Sequence, residues 1–173
     1  WHVDGVLSFS LAPASDIDEL QPRATALART LAERLDYVGV FALELFVQDG
    51  ELLGNEMAPR VHNSGHWTIE GAHTSQFENH VRAVLGLPLG DTGARGMSGM
   101  FNWIGELPDP APVLRGVDAH WHDYGKQARP GRKVGHATVC APVAAVLAQR
   151  LEGMGRELGR EAQVVPAVEV LRA

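Results

Sequence analysis

The stretch from residue 38 to 58 constrains the fold more than any other. Val38 to Val47 is a dense run of β-branched and aromatic residues, Gln48-Asp49-Gly50-Glu51 interrupts it, and Leu52 to Ala58 follows. Two apolar runs flanking Asp-Gly predict a β-hairpin. On its first strand, alternation puts Val40, Ala42, Glu44 and Phe46 on one face and Phe41, Leu43, Leu45 and Val47 on the other. Both faces read as buried, which leaves Glu44 an acid among apolar neighbours. Such a carboxylate needs a partner: a core Arg, or a strand-edge position open to water. The second strand supplies Glu56. A three-residue loop, Asp49-Gly50-Glu51, pairs Gln48 with Leu52 and sets Glu44 opposite Glu56. A two-residue Asp-Gly turn opposes Glu44 with Asn55 and sends Glu56 to the other face. In the first register the two acids stand about 5 Å apart, unfavourable unless a cation lies between them. Mg²⁺ takes oxygen ligands of this kind and commonly shares them with phosphate.

Around the hairpin the chain reads as α+β, with mostly antiparallel strands and helices between them. Gly5 to Leu11 reads as a strand. Leu20, Ala24, Leu27, Leu31 and Leu35 recur at helical spacing and predict a helix over 20–36, with Pro22 in its first turn. A second helix is expected at 74–85, with Phe77, Val81 and Val84 inward and Gly86 as its stop. Residues 86–99 carry five glycines and one proline and form the best boundary candidate. Short strands follow at 100–104, 119–124 and 134–141, then a helix from 142 to about 158 marked by Leu147, Leu151, Met154 and Leu158.

Composition removes several classes of function. With 173 residues, 45% hydrophobic and 21% charged, the chain has an ordinary globular balance and length for one domain or two small ones. Lys+Arg total 15 against Asp+Glu 21, a net charge of −6, which argues against a general nucleic-acid surface but not against one local basic site. A single cysteine, Cys140, excludes an intrachain disulfide and fits a reducing compartment. No apolar run reaches membrane-spanning length. A cytoplasmic location without membrane contact is the expectation. Residue 1 is Trp and runs straight into an extended stretch, so the chain reads as a piece of something longer.

Two clusters carry candidate chemistry. Asn55-Glu56-Met57-Ala58-Pro59-Arg60-Val61-His62-Asn63-Ser64-Gly65-His66-Trp67 is an aperiodic loop beside the hairpin, dense in polar side chains of the kind found at catalytic sites. His62 and His66 are spaced by four, as in some zinc sites, but Asn-Ser-Gly between them is poor helix and the rings need not share a face. Lone histidines, here also His73, His80, His120 and His122, are more often structural. The second cluster is Tyr124-Gly125-Lys126-Gln127-Ala128-Arg129-Pro130-Gly131-Arg132-Lys133. It reads either as a solvated loop or as a phosphate site, where Arg gives bidentate contacts and Lys a point charge. No GxxxxGK[ST] or GxGxxG loop is present, so any nucleotide is held another way.

These residues resemble a known family. Tyr37-Val38-Gly39-Val40-Phe41-Ala42-Leu43-Glu44 and the run Asn55 to Thr68 are similar to the carboxyaminoimidazole ribonucleotide synthetases, ATP-grasp enzymes of purine biosynthesis. Ser75-Gln76-Phe77-Glu78, Leu87-Pro88-Leu89-Gly90, Asn102-Trp103-Ile104-Gly105 and Arg129 to His136 resemble the family's later landmarks in the same order. The resemblance implies an ATP-dependent ligase in which ATP and bicarbonate form carboxyphosphate, which carboxylates the exocyclic amine of aminoimidazole ribonucleotide. It assigns Mg²⁺ to Glu44 and Glu56, in agreement with the three-residue-loop register. Arg60, His62 and Asn63 would line the bicarbonate and carboxyphosphate site. Lys126, Arg132 and Lys133 would grip the ribonucleotide phosphate, while the role of Arg129 stays open. Ala58 departs from many ATP-grasp enzymes, which place an Asn metal ligand there. The resemblance further implies residues 1–98 as the latter part of an ATP-grasp domain and 99–173 as a small β-rich C-terminal domain. A homodimer is implied for the full enzyme, and a chain this short is expected not to turn over alone. Two alternatives remain: another ATP-grasp ligase or transferase of the same pathway, against which the HNSGHW and RPGRKVGH runs speak, and a non-catalytic module that kept the fold.

Overall fold

The computed structural model describes residues 1–173 apart from 15, 16 and 18. Along the chain run β1 (His2–Val3), β2 (Val6–Leu7), β3 (Phe9–Ala12), α1 (Gln21–Arg34), β4 (Ala42–Gln48), β5 (Glu51–Ala58), a 3₁₀ turn (Asn63–Gly65), α2 (Thr68–Gly71) and α3 (Gln76–Val84). Then come β6 (Met97–Ile104), α4 (Ala111–Arg115), β7 (Ala119–Asp123), β8 (Lys133–Ala141), α5 (Ala144–Leu158) and α6 (Glu161–Arg172). They group into two compact units that are not contiguous in sequence. One holds residues 1–13, 70–72 and 94–173, the other 14–69 and 73–93.

The first unit is built on an antiparallel four-stranded sheet in the order β3-β6-β8-β7. Its central strands β6 and β8 are buried along nearly their whole length. Phe9 and Phe101, paired across β3 and β6, meet edge to face at 5.0 Å between ring centroids, a favoured aromatic geometry. Leu147, Leu151 and Val164 complete this core from α5 and α6. α5 follows the leucine spacing read from the sequence and ends at Gly159, left-handed at φ 63°, where a side chain would be strained. α6 was not expected from the sequence. Its Pro166 hides it, yet Val164, Ala167 and Val168 keep helical spacing and are buried.

The second unit carries the β4–β5 hairpin, α1, the 3₁₀ turn and α3. Asp49 and Gly50, at φ 52° and 77°, form a two-residue turn, and Gln48 pairs with Glu51. Of the two turns the sequence allows, the two-residue one is present, but without the Glu44–Asn55 opposition expected from it. The opposition of Glu44 and Glu56 that the three-residue alternative implied is what forms, because the ladder shifts between Leu45↔Gly54 and Glu44↔Glu56. Asn55 is the extra residue of a β-bulge that returns Glu56 to Glu44. Burial on both hairpin faces is also corrected: Phe46, Val47 and Leu53 are 55%, 56% and 45% exposed, since two strands alone cannot cover two faces.

Helix α3 starts where Ser75 accepts a hydrogen bond from the Glu78 amide at 3.2 Å, a capping contact, and Glu78 pairs with Arg82 one turn later. Its inward residue is Asn79, whose side chain accepts from the Gly90 amide at 2.8 Å and donates to the Gly90 carbonyl at 3.3 Å. Phe77, Val81 and Val84, expected inward, are exposed. Helix α3 thus presents the face that ties down the chain at Gly90 and leaves its apolar stripe open.

Candidate functional site

In the second unit the bulge sets two carboxylates side by side, and the loop after β5 delivers an imidazole to them. His62 Nδ1 lies 3.3 Å from Glu44 Oε1, and its Nε2 lies 3.8 Å from Glu56 Oε1. The bulge residue itself contributes: Asn55 Nδ2 donates to Glu44 Oε2 at 3.3 Å. The side chains of Glu44 and His62 are 20% and 11% exposed, that of Glu56 52%, so the pair has one half-buried and one open acid. Glu44 finds its partners in His62 and Asn55 rather than in a core Arg.

The loop is held by one amide. Gln76 Oε1 accepts from the His62 backbone at 2.9 Å, while Gln76 Nε2 donates to the His62 carbonyl at 2.8 Å and lies 2.8 Å from His66 Nδ1. A Cβ on Gly65 would stand 2.8 Å from Gln76 Oε1, so glycine there is what admits the amide. The Ser64 hydroxyl lies 2.9 Å from His62 Nδ1, and Thr68 Oγ1 donates to the Gly65 carbonyl at 2.6 Å and accepts from the Gln76 amide at 3.0 Å. His62 and His66 are thus turned to different partners, and the zinc reading of their spacing gains no support. Arg60 is exposed next to the hairpin's end, with Nη1 on the Val61 carbonyl at 3.0 Å. Asn63 opens the 3₁₀ turn and accepts from the His66 amide at 3.1 Å through its carbonyl. Ala58, 4% exposed and paired with Ala42, offers no ligand atom; the nearby amide is Asn55, one residue before Glu56. Two facing carboxylates are hard oxygen donors of the kind that Mg²⁺ takes.

In the first unit the basic cluster occupies the turn from β7 to β8. The turn is tied to the sheet by backbone bonds from Arg129 to the Gly105 carbonyl at 3.0 Å and from Gly105 to the Arg132 carbonyl at 2.8 Å. Lys126 stands 4.9 Å over the Tyr124 ring. Among the described residues Lys126, Arg129 and Arg132 have no carboxylate within ion-pair distance, so their charge is available to an anion.

Behind that turn lies a group sequence reading had passed over. Glu70, His122 and His136 bring ligand-type atoms within 4.8 Å of one another, the one such trio among the described residues. His122 and His136 are directly paired across β7 and β8, and their rings stack at 4.2 Å with 9° between planes. His122 Nε2 is 2.7 Å from Glu70 Oε1, and the Tyr124 hydroxyl is 2.8 Å from His136 Nδ1. Parallel rings aim their in-plane lone pairs side by side rather than at a common point, and 2.7 Å is a charge-assisted hydrogen-bond length. The trio is a hydrogen-bonded stack, not a metal cage. His122 was read as structural, and Glu70 drew no attention because its partners lie about 50 and 65 positions away in the chain.

Comparison with known proteins gives these clusters a family. Residues 1–77 match the ATP-grasp domain and residues 98–150 match the phosphoribosylaminoimidazole carboxylase C-terminal domain. The N5-carboxyaminoimidazole ribonucleotide synthase of Vibrio vulnificus is 51% identical over 96% of this chain and 43% of its own length. That of Pseudomonas aeruginosa is 53% identical over 87% of this chain and 42% of its own. The crystal structure of the Thermus thermophilus synthetase superposes with a TM-score of 0.87 at 58% identity, covering 90% of this chain and 44% of that one. A crystal structure from Aspergillus clavatus, in complex with ADP and 5-aminoimidazole ribonucleotide, has a TM-score of 0.83 at 36% identity, covering 92% and 46%. The chain spans less than half the length of the relatives it matches. With both family matches in order along it, and the two acids and the basic turn in the matched regions, the chain belongs to the N5-carboxyaminoimidazole ribonucleotide synthetase family of ATP-grasp proteins.

Proposed function

We propose that this chain forms part of an ATP-dependent carbon–nitrogen ligase that carboxylates the exocyclic amine of aminoimidazole ribonucleotide with bicarbonate. The observation that carries this reading is the bulged register, which spends a ladder bond to oppose Glu44 and Glu56 and draws His62 between them. Like charges facing each other destabilise a hairpin unless a cation is to be held there. The Aspergillus relative's complex with ADP and 5-aminoimidazole ribonucleotide supports the choice of substrates.

In this reading Glu44 and Glu56, with Asn55 beside them, hold Mg²⁺, which would neutralise charge on the ATP phosphates. Bicarbonate oxygen attacks the γ-phosphorus, ADP leaves, and carboxyphosphate results. The amine nitrogen then attacks the carboxyl carbon, phosphate departs, and the nitrogen loses a proton. Arg60, His62 and Asn63 line the bicarbonate and carboxyphosphate site. Arg60 compensates developing negative charge, and His62 is fixed in orientation by Gln76 and Ser64. Lys126, Arg132 and Lys133 take the ribonucleotide phosphate. Residues 1–98 are the latter part of the ATP-grasp domain and 99–173 the C-terminal domain, a division supported by the matches over 1–77 and 98–150. A cytoplasmic homodimer is the setting we infer from the family resemblance; among the described residues no helix is long and apolar enough to cross a membrane.

The test is ADP release by the full-length reading frame, with and without aminoimidazole ribonucleotide and bicarbonate, beside Glu56→Gln. Dependence on both substrates, lost in the variant, is the expected result. Substrate-independent release that survives Glu56→Gln would overturn both the acceptor and the metal assignment. The 173-residue chain by itself is expected to release no ADP above background.

A further inference from the structure

The contacts behind the basic turn form one continuous path that ends on a cation. Glu70 Oε1 meets His122 Nε2 at 2.7 Å, His122 stacks on His136 at 4.2 Å, His136 Nδ1 meets the Tyr124 hydroxyl at 2.8 Å, and the Tyr124 ring lies 4.9 Å beneath Lys126 Nζ. The path is deepest at His136, and burial falls from there to the cation. His136 is 1% exposed, Tyr124 is half-buried and Lys126 is open to solvent. A flexible four-carbon side chain in water samples many rotamers, and a ring fixed underneath it biases them toward those that place the ammonium over its face. The ring is itself fixed by its hydroxyl's bond to a histidine that cannot move in the sheet. Two backbone amides frame the same turn: that of Gly125 donates to the Asp123 side-chain Oδ1 at 2.7 Å, and that of Tyr124 to the Val134 carbonyl at 3.0 Å.

We propose that Tyr124 and His136 are positioning residues that pre-set Lys126 and its turn for the phosphate of a ribonucleotide, with the Glu70–His122 pair fixing His136 from behind. The inference rests on the reading of Lys126 as a phosphate ligand and deepens it. Pre-organisation of this kind lowers the entropy lost on binding, so it acts on substrate affinity rather than on the chemical step.

The experiment is steady-state kinetics on the full-length reading frame carrying Tyr124→Phe, with Lys126→Ala, His136→Gln and His136→Ala alongside. Two acceptors are compared, aminoimidazole ribonucleotide and the riboside that lacks its phosphate. Tyr124→Phe keeps the ring and removes only the tether. The tether exists with and without substrate, so the worth of one hydrogen bond is the ceiling of its effect: KM for the ribonucleotide should rise by about threefold and by no more than about tenfold, with kcat changed less than about twofold. The preference for ribonucleotide over riboside should fall by the same factor. His136→Gln, which keeps a hydrogen-bonding side chain at that position, should lie between wild type and His136→Ala. If Lys126→Ala raises KM and Tyr124→Phe does not, the positioning role is overturned and the phosphate reading stands. If Lys126→Ala leaves the preference for the phosphate unchanged, the phosphate reading falls and the inference with it. An equal loss on ribonucleotide and riboside would mean a general structural role and would also overturn the proposal.

Discussion

Replacing Glu56 by Gln separates what the acid does for the hairpin from what it is proposed to do for a bound ion. Two unit charges about 5 Å apart repel by about 0.8 kcal/mol at the dielectric constant of water, and by more where protein displaces it. Glu56 is 52% exposed at its side chain, so the watery limit applies. Its distance of 3.8 Å to His62 Nε2 is beyond hydrogen-bond range, and losing that contact removes a few tenths of a kcal/mol at most. In metal-free buffer Glu56→Gln is therefore expected to stabilise the hairpin by about 0.5 kcal/mol. Hydrogen exchange of the amides in 42–58 reads this locally, which matters because a chain with two compact units has no single unfolding free energy. Exchange should slow by about twofold. Mg²⁺ at ten times its dissociation constant should add about 1.4 kcal/mol to the unsubstituted hairpin and slow its exchange about tenfold further. The variant should lose that response. Exchange more than about fivefold faster in metal-free Glu56→Gln would show the acid to be structural, held by His62, and would refute the reasoning. An undiminished Mg²⁺ response would remove Glu56 from the ion's site.

Gln76→Ala removes the amide that meets His62 twice and His66 once, and exchange of the 62–66 amides is expected to quicken at least tenfold while the hairpin itself is unchanged. Leu151→Ala opens a cavity beside Phe9 and Val164 in a fully buried core position and should cost the first unit about 3 kcal/mol, measured by exchange of β6 and β8 amides. Burial pushes the Cys140 thiol above its ordinary value of 9.0, with the Glu70 and Asp118 carboxylates adding to this against the Ser98 hydroxyl and Arg150. The folded chain therefore holds that proton longer than the unfolded one, so the contribution is complete below pH 9.0 and is lost as pH rises above it. Alkylation at pH 8 should be much slower in the folded chain than in urea, and Cys140→Ser should flatten the alkaline fall in stability; equal alkylation rates would contradict the burial.

What was legible in the sequence follows from how local each signal is. The hairpin, α1, α3 and α5 were readable because each declares itself within a dozen residues, through an Asp-Gly turn, a stop at Gly86 or apolar residues at helical spacing. Helix α6 was lost to Pro166, a strong local breaker overridden by burial of Val164, Ala167 and Val168 against α5. The inward face of α3 was misread for the opposite reason. Its apolar stripe is the better helical pattern, but the side chain that finds hydrogen-bonding partners is Asn79, and no periodicity reveals a carbonyl eleven residues away.

The candidate site shows the same division more sharply. The pairing of Glu44 with Glu56 was reached through a turn length that is not the one present, and the right opposition arises from an error-correcting bulge. Turn chemistry alone favours Asp-Gly in two residues, and a regular ladder from that turn would have put Asn55 opposite Glu44. A chain free to optimise its hairpin has no reason to insert a bulge that brings like charges together. The bulge costs ladder regularity and the charges cost repulsion, and both costs fall on the same two residues. Local structure that works against itself at one point is what a ligand-holding site looks like before the ligand arrives. The basic turn behaves alike, with three cations that find no acid among the described residues while Arg23, Arg82, Arg115, Arg150 and Arg172 each do. Among the described residues Arg29, Arg34, Arg60, Arg156 and Arg160 also have no acid in ion-pair range, so lack of a partner does not by itself mark the turn. What marks it is that Lys126, Arg129 and Arg132 fall together on one turn that Tyr124 and His136 hold in place.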